Sequence, residues 1–377
     1  MKKYDVCIIG AGASGLAAAA SMSDGIKICL MEKNDIPGKK VMATGGGRCN
    51  ITNAACINKA LTLEFFKSLG LETYQDDEGR YFPYSNHAPD VVGILMRAVE
   101  GKDVDIITGT AANDIRQVNE KAGDGERFQI EYTARGGKKG SVAADNVLLA
   151  VGGKAAPQLG TTGDGYGMAR ALGHRVERVY PILTAIECGD LSDIKGVRAK
   201  CRISLYRDRA LLISELGEVQ FTADGISGIC VFDITPYIRA EEGESFIQAL
   251  RHFSVELDLA PDFDEEEIFR RESTFGILSE KLAQKVGIDE LKRWRLPVKG
   301  VKGWKQAQCT AGGVTLDEID METMESRLVE GLYFSGEIIN VQGPCGGYNL
   351  QNAWETGIKA ASALNRRYGE ERRRQYR

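Results

Sequence analysis

No C-x-x-C pair occurs anywhere in the 377 residues, and the nine cysteines (7, 29, 49, 56, 188, 201, 230, 309 and 345) are odd in number. A disulfide framework, a thioredoxin-type redox pair and a zinc ribbon are all poorly supported by that spacing and that parity, and no metal is expected. Cys7 and Cys29 sit inside apolar runs, where a thiol serves as a small hydrophobe, and a reducing cytoplasm is the expected location. No stretch reaches the ~18 uninterrupted apolar residues of a membrane span. Lys2 and Lys3 precede an alanine-rich run, but Asp5 and three patterned glycines interrupt it, so the run is not expected to be a secretory leader. Positive charge is also short: the net charge of -5 argues against nucleic acid held by bulk electrostatics. The one basic cluster, Arg366, Arg367, Arg372, Arg373, Arg374 and Arg377, reads as a solvated helix end. Internal repeats and low-complexity linkers are absent.

Glycine is in excess. Its 44 residues are about an eighth of the chain, against a usual ~7%, which fits several close backbone approaches to one extended ligand. The most ordered arrangement is Asp5-Val-Cys-Ile-Ile-Gly-Ala-Gly-Ala-Ser-Gly15. It reads as an apolar strand (Val6 to Ile9), Gly10, Gly12 and Gly15 in G-x-G-x-x-G spacing, then the small-residue run Leu16 to Ala20 of a helix. Gly10 permits the tight turn, Gly12 lets backbone approach a pyrophosphate, and Gly15 lets the helix lie against the strand with its N–H groups and dipole facing the anion. Ile26 to Met31 reads as the next strand and ends at Glu32, twenty residues after Gly12, where a carboxylate accepts hydrogen bonds from a ribose diol. Ser14 in the turn and Lys33 beside the carboxylate join these as candidate contacts. The pattern is that of a dinucleotide site.

Beyond Glu32 the chain passes Lys40 and enters Thr44-Gly-Gly-Gly-Arg-Cys-Asn50. Three glycines between polar residues cannot be the interior of a helix or strand, so Thr44, Gly45, Gly46, Gly47 and Arg48 are expected in a loop held against the ligand. Helices are expected near Leu61 to Leu69 and over Pro89 to Val99, and a strand over Val104 to Thr108. Ile115 to Val118 and Phe128 to Ala134 should form an antiparallel meander around a Gly- and Asp-bearing turn. Val147 to Val151 then returns as a buried strand closed by Gly152. The expected fold is α/β: a doubly wound, Rossmann-like dinucleotide domain of residues 1–190 plus 309–377. Residues 191–308 read as an inserted antiparallel β-barrel with strands over Ala199 to Leu205, Ala210 to Ser214, Cys230 to Ile234 and Phe253 to Leu259. A small helical piece at about 264–297 has its rhythm in Phe269, Phe275, Leu278, Leu282 and Val286.

Near the end, strand Leu332 to Phe334 leads to Gly336-Glu337, and Gly343-Pro-Cys-Gly-Gly347 opens a helix at Tyr348-Asn349. That second helix N-terminus, at Gly346 and Gly347, has no use for NAD. It suits a flavin, whose reduction builds negative charge at N1 and the C2 carbonyl, so FAD is the expected cofactor, with Glu337 placed for ribityl hydroxyls. Here the residues carry a family resemblance. Gly38-Lys-Lys-Val-Met-Ala-Thr-Gly-Gly-Gly-Arg-Cys-Asn-Ile-Thr-Asn53, Gly160-Thr-Thr-Gly-Asp-Gly-Tyr-Gly167, Gly225-Ile-Ser-Gly228, Ala311-Gly-Gly-Val314, Thr323-Met-Glu-Ser326 and the 336–354 segment resemble the YhiN/BaiN family of bacterial flavoproteins. The resemblance implies tightly bound FAD, a two-part dinucleotide domain, an inserted barrel with a small helical domain, and NAD(P)/FAD-dependent oxidoreductase activity. Members include a reductase of unsaturated 3-oxo bile acids and, more distantly, an aminoacetone oxidase that makes hydrogen peroxide. Asn340 stands where the family usually has aspartate, and the stretch from Asp264 to Pro297 is shorter than the family pattern.

The expected reaction is passage of hydride from a transient NAD(P)H donor through flavin N5 to an electron-poor alkene or carbonyl of a small molecule. Arg48 and Asn50 are expected to offer donors to the polar edge of the ring, with Arg48 alternatively a loop anchor. Tyr348 is either a proton donor or a stacking partner, Cys49 a packed thiol, and His87 and His174 surface or capping residues. With no second G-x-G-x-x-G, nicotinamide has no dedicated domain. The rival readings are a flavin oxidase of a small amine and a flavin-containing RNA-modifying or regulatory protein that uses the arginine tail. Bulk charge disfavours nucleic acid, and no membrane partner is expected.

Overall fold

A computed structural model describes residues 1–118 and 127–375, without the side chains of Phe269 and 371–375. The chain divides into two compact units, Met1–Val179 with Thr310–Arg377, and Tyr180–Cys309.

The first unit is built on a seven-stranded sheet. Val104–Ile107, Ile28–Met31, Lys2–Ile9 and Lys139–Leu149 lie side by side in parallel, followed by Phe128–Ala134 and Thr110–Gln117 in antiparallel. Lys139–Leu149 changes partner along its length. Its first half pairs antiparallel with Phe128–Ala134, and its last residues, Val147 to Leu149, pair in parallel with Leu332–Phe334. The two ends of the sequence therefore meet on one strand. The turn between Thr110–Gln117 and Phe128–Ala134, with its Gly and Asp residues, lies outside the described residues.

The helix Ala13–Ser21 is buried from Ser14 to Ala20, because the sheet covers one side and the C-terminal helix Tyr348–Gln375 the other. Small side chains make this contact close: a Cβ on Gly357 would come 2.3 Å from the Ser14 carbonyl oxygen. Trp354, Ala361 and Leu364 are fully buried on the face predicted for them. Of the arginine cluster, Arg366 is exposed, Arg367 pairs with Glu325 and Glu330, and Arg377 lies outside the described residues.

The second unit starts at Tyr180, earlier than position 191, because Ile186 and Cys188 already pack into its core. Its antiparallel sheet runs Trp294–Pro297, Phe253–Asp258, Arg198–Arg207, Ala210–Phe221, Gly225–Ser227, Ile186–Glu187, Gly300–Val301. The two edge strands are joined only by Val298 and Lys299, whose N–H groups bond to Phe253 and Glu187 carbonyls. The sheet must curl until its edges meet through this connector.

Two expectations fail here. Cys230 to Ile234 is not a strand but part of a helix, Ile229–Ile234. Cys230, Val231 and Ile234 are buried while Ile229 is exposed, which is helical spacing. Gly217 makes room for this helix, since a Cβ there would lie 3.0 Å from Cys230 Cβ. The helical piece likewise reduces to Glu265–Phe269 and Glu280–Lys285. Leu278, Leu282 and Val286 sink into the same core as the strands, Phe275 is exposed, and Trp294–Pro297 is already an edge strand, so no separate helical body exists among the described residues. No helix of the described residues is long and apolar enough to cross a membrane.

Candidate functional site

The first glycine turn has three different constraints. Gly10 is held at φ +104, and a Cβ on it would strike the Ala150 carbonyl at 2.5 Å. A Cβ on Gly15 would fall 1.9 Å from the Gly10 oxygen. Gly12 is unlike both: it caps the helix Ala13–Ser21 at φ -83, which any residue adopts, and a Cβ on it would meet nothing within 4 Å. The fold itself leaves that space open, at a helix N-terminus that no side chain caps. Such a terminus is an anion site.

Glu32 is buried at the end of Ile28–Met31. Its Oε2 accepts the Ala11 N–H at 2.9 Å, and its Oε1 accepts from Asn34 N and Nδ2 at 2.8 and 2.7 Å. Three donors fix the carboxylate, and its remaining lone pairs stay available for a diol. Lys33 turns to Asp164 and Thr162. Burial raises the Asp164 carboxyl, yet the hydrogen bonds from Lys33 and Thr162 hold it below its ordinary value. Ser14 is buried, with its hydroxyl toward the Ser335 carbonyl, and so braces the two glycine-rich segments against each other.

The second segment begins with Gly336 at φ +75 beside Ser14. Glu337 then pairs with Lys40 at 2.8 Å and accepts the Thr310 N–H at 2.7 Å. Gly153 admits this group, since a Cβ on it would lie 2.5 Å from Thr310 Oγ1 and 2.9 Å from Glu337 Cδ, while Gly152 (φ +72) faces Thr161. Asn340 donates to Glu177 at 2.7 Å, and its Oδ1 is buried without a partner.

The triple glycine is a tight left-handed turn. Gly45, Gly46 and Gly47 have φ +57, +66 and +87, and Thr44 Oγ1 donates to Val41 O at 2.7 Å. Cys49 continues at φ +61 and is fully buried. Burial pushes its thiol up to about 12, against a smaller pull from Thr44, so it is a packed thiol and no thiolate nucleophile at neutral pH. Arg48 is exposed, with its guanidinium 4.5 Å from the centroid of the Phe82 ring and Nε toward Gly45 O at 3.4 Å. Asn50 is buried, and its Oδ1 has no hydrogen-bond partner.

Residues 51–53 clamp this loop to the start of the C-terminal helix. Trp354 Nε1 donates to Ile51 O at 3.1 Å, Thr52 Oγ1 to Gln351 Oε1 at 2.6 Å and Asn53 Nδ2 to Gly346 O at 3.0 Å. Gly346 and Gly347 stand at φ +109 and +106. Asn349 holds its own loop: Oδ1 accepts Gly343 N–H at 3.0 Å and Nδ2 donates to Gly343 O at 2.9 Å. Half-buried Tyr348 opens the helix. Phe82, Thr310, Thr52, Asn53 and Gln351 were not singled out as site residues in the sequence, although Thr52 and Asn53 continue the T-G-G-G-R-C-N string and Gln351 lies in the 336–354 segment.

The histidines divide. His87 is exposed at the N-terminus of Ala88–Glu100, with Nδ1 at 3.0 Å from Asp90. His174 is buried, not at the surface. Ser326 Oγ accepts N–H from Leu328 and Val329 at 3.0 and 2.8 Å, so its own proton points to His174 Nε2 at 2.9 Å. The Nδ1–H then donates to Glu318 at 3.2 Å.

One observation tests whether FAD fits. Gly12 leaves room that the protein does not fill, beside an uncapped helix N-terminus, and that space fits the pyrophosphate. The fold and this cradle define a flavin-dependent oxidoreductase of Rossmann-like architecture. The chain belongs to the family described as "HI0933-like protein Rossmann domain", which matches residues 57–363. It is 33% identical over 424 residues to the 3-dehydro-bile acid delta(4,6)-reductase of Clostridium scindens, covering 96% of this chain and 98% of that one. It is 27% identical over 415 residues to the ribosomal RNA dihydrouridine synthase of Escherichia coli, covering 97% and 98%. In fold it resembles the 3-ketosteroid-delta4-(5alpha)-dehydrogenase from Rhodococcus jostii RHA1, solved with 4-androstene-3,17-dione, at TM-score 0.52, 13% identity and 97% of each chain.

Proposed function

We propose that this protein is a cytoplasmic FAD-dependent reductase that adds hydride from NAD(P)H to a carbon–carbon double bond conjugated to a carbonyl in a small molecule. The observation that carries the reading is similarity along the whole chain to a reductase of 3-dehydro-bile acids. The other relative points to the same bond, because dihydrouridine is uridine with the ring double bond beside a carbonyl saturated. FAD supplies the two-electron chemistry. The chain holds it: the Gly10–Gly15 turn and helix N-terminus for the pyrophosphate, Glu32 for the ribose, and the start of Tyr348–Gln375 for negative charge on the reduced ring. Arg48, fixed on Phe82 and without an ion-pair partner among the described residues, offers a donor fork to a substrate carbonyl.

The second reading, reduction of uridine in RNA, is favoured by the dihydrouridine synthase similarity and opposed by the net charge of -5. One anaerobic experiment separates the readings. NADH or NADPH is expected to bleach the bound flavin, and a 4-en-3-one steroid to restore its colour. Restoration only by uridine-containing RNA selects the second reading. Bleaching by small amines but by neither nucleotide overturns both in favour of an amine oxidase.

A further inference from the structure

Residues 153–163 follow the strand Lys139–Leu149 and return to their own start, where the Gly163 N–H bonds to the Gly153 carbonyl at 3.1 Å. A loop of this length with joined ends is an Ω-loop, a compact surface unit that frequently carries function. Its base is fixed. Thr310 Oγ1 accepts Lys154 N and Ala155 N at 2.8 and 3.0 Å, and Ala155 and Ala156 are buried. Ala156 is held at φ +55, a left-handed conformation that a residue with a Cβ keeps only under constraint, and one that gathers at ligand clamps and switch segments. The rest of the loop is fastened by lysines. Lys39 Nζ donates to Gln158 O at 3.1 Å, while Lys33 Nζ donates to Thr162 Oγ1 at 2.6 Å and pairs with Asp164, just past the loop, at 2.5 Å. The Lys33 and Asp164 side chains are 30% and 50% exposed, so water replaces this fastening readily.

The loop also joins the two carboxylates of the cradle. At one end Gly160 lies on Asn34: a Cβ there would come 2.2 Å from Asn34 Nδ2, the nitrogen that donates to Glu32 at 2.7 Å. At the other end Lys40 Nζ reaches Ala155 O at 3.4 Å and Glu337 at 2.8 Å. Thr310, whose hydroxyl holds the base of the loop, gives its N–H to the same Glu337 at 2.7 Å. Glu32 and Glu337 are the residues assigned to the ribose and to the ribityl hydroxyls, so the loop spans the same two points as a dinucleotide bound between them.

We infer that residues 153–163 are a clamp along the dinucleotide cradle, and that the Lys33–Asp164 pair is its latch, which must open for FAD to enter or leave. Lys33 is thus a latch and not the cofactor contact that the sequence suggested. The latch is made wholly of protein groups, so it resists entry and exit alike. The inference rests on the flavin reading and assigns the step that sets cofactor exchange.

The test measures both rates. Association of FAD with apoprotein is followed by quenching of flavin fluorescence, and release by its recovery on dilution. Lys33→Met and Asp164→Asn should each raise both rate constants by about threefold to fivefold at low salt, leaving Kd within about twofold of native. The double variant should match the single ones, because the latch is removed only once. In about 0.5 M potassium chloride the native and variant rates should converge. Faster release with unchanged association would make Lys33 a direct contact of FAD and overturn the latch, as would rates equal to native in either variant. Hydrogen exchange needs no variant to fold: FAD should slow the amides of residues 157–162, and unslowed exchange overturns the clamp. Protein that binds no FAD at all removes the flavin reading itself.

Discussion

At the scale of single residues, Gly12 and Gly15 separate what the ligand requires from what the fold requires. Gly15 is demanded by the protein, since its Cβ would overlap the Gly10 oxygen at 1.9 Å. Gly15→Ala should destabilise the apoprotein by about 3 kcal/mol. Gly12 has an ordinary φ of -83 and open space around its missing Cβ. Gly12→Thr places a competent helix cap there, so apoprotein stability in urea should stay within about 0.5 kcal/mol of native. The same threonine fills the space left for the pyrophosphate, and FAD affinity by fluorescence titration should fall at least about tenfold. An apoprotein badly destabilised by Gly12→Thr would show that the cradle is structural. The G-x-G-x-x-G spacing made all three glycines legible in the sequence. It could not say that Ser14 would spend its hydrogen bond on the protein, because Ser335 reaches it through the fold and not through a neighbouring position.

At the scale of elements, His174 joins the end of the helix Asp164–Ala171 to the segment 315–329 through Glu318 and Ser326, and packs edge-on against Phe334 at 4.7 Å. Burial lowers the His174 pKa against the opposing pull of Glu318. Burial would raise the Glu318 carboxyl, but its bonds to Arg175 and that residue's charge carry it below its ordinary value. The sign follows from proton counts. Below about pH 6.5 the unfolded chain protonates this histidine and the folded chain does not. The stability is complete above the unfolded pKa and is lost as pH falls from there through the lower folded value. Thermal unfolding between pH 7.5 and 5.5 should show the midpoint falling, and His174→Gln should flatten that slope while lowering stability at pH 7.5. An unchanged slope would mean that the imidazole titrates alike in the folded and unfolded chains. The sequence offered Leu172-Gly-His-Arg175 as a helix end and nothing more, since both partners lie more than 140 positions away. Cys230 to Ile234 misled for a related reason. A short apolar run is compatible with either period, and Gly217 on another strand settled it as a helix.

At the scale of the whole molecule, the described residues form two separate buried cores, one in each compact unit, and the candidate cofactor residues all belong to the first. A ligand that binds only the folded first unit stabilises it by about 2.7 kcal/mol at a hundredfold excess over Kd. Calorimetry with increasing FAD should therefore raise the unfolding temperature of one transition, with a second, assigned to Tyr180–Cys309, staying in place. Movement of both by the same amount would show that the units melt as one. The sequence by itself determined the dinucleotide fold, the family and the residues of the glycine turns, because those features depend on local spacing: turn, strand and helix start follow one another within a few bonds. Only the tertiary structure decided that Asn50 is left with an unpartnered acceptor, that Arg48 lies on Phe82, and that Glu337 meets Lys40. Those facts join positions 34 to 297 residues apart or record a partner that never arrives. A linear pattern carries no term for either, since burial and pairing are properties of the packed chain.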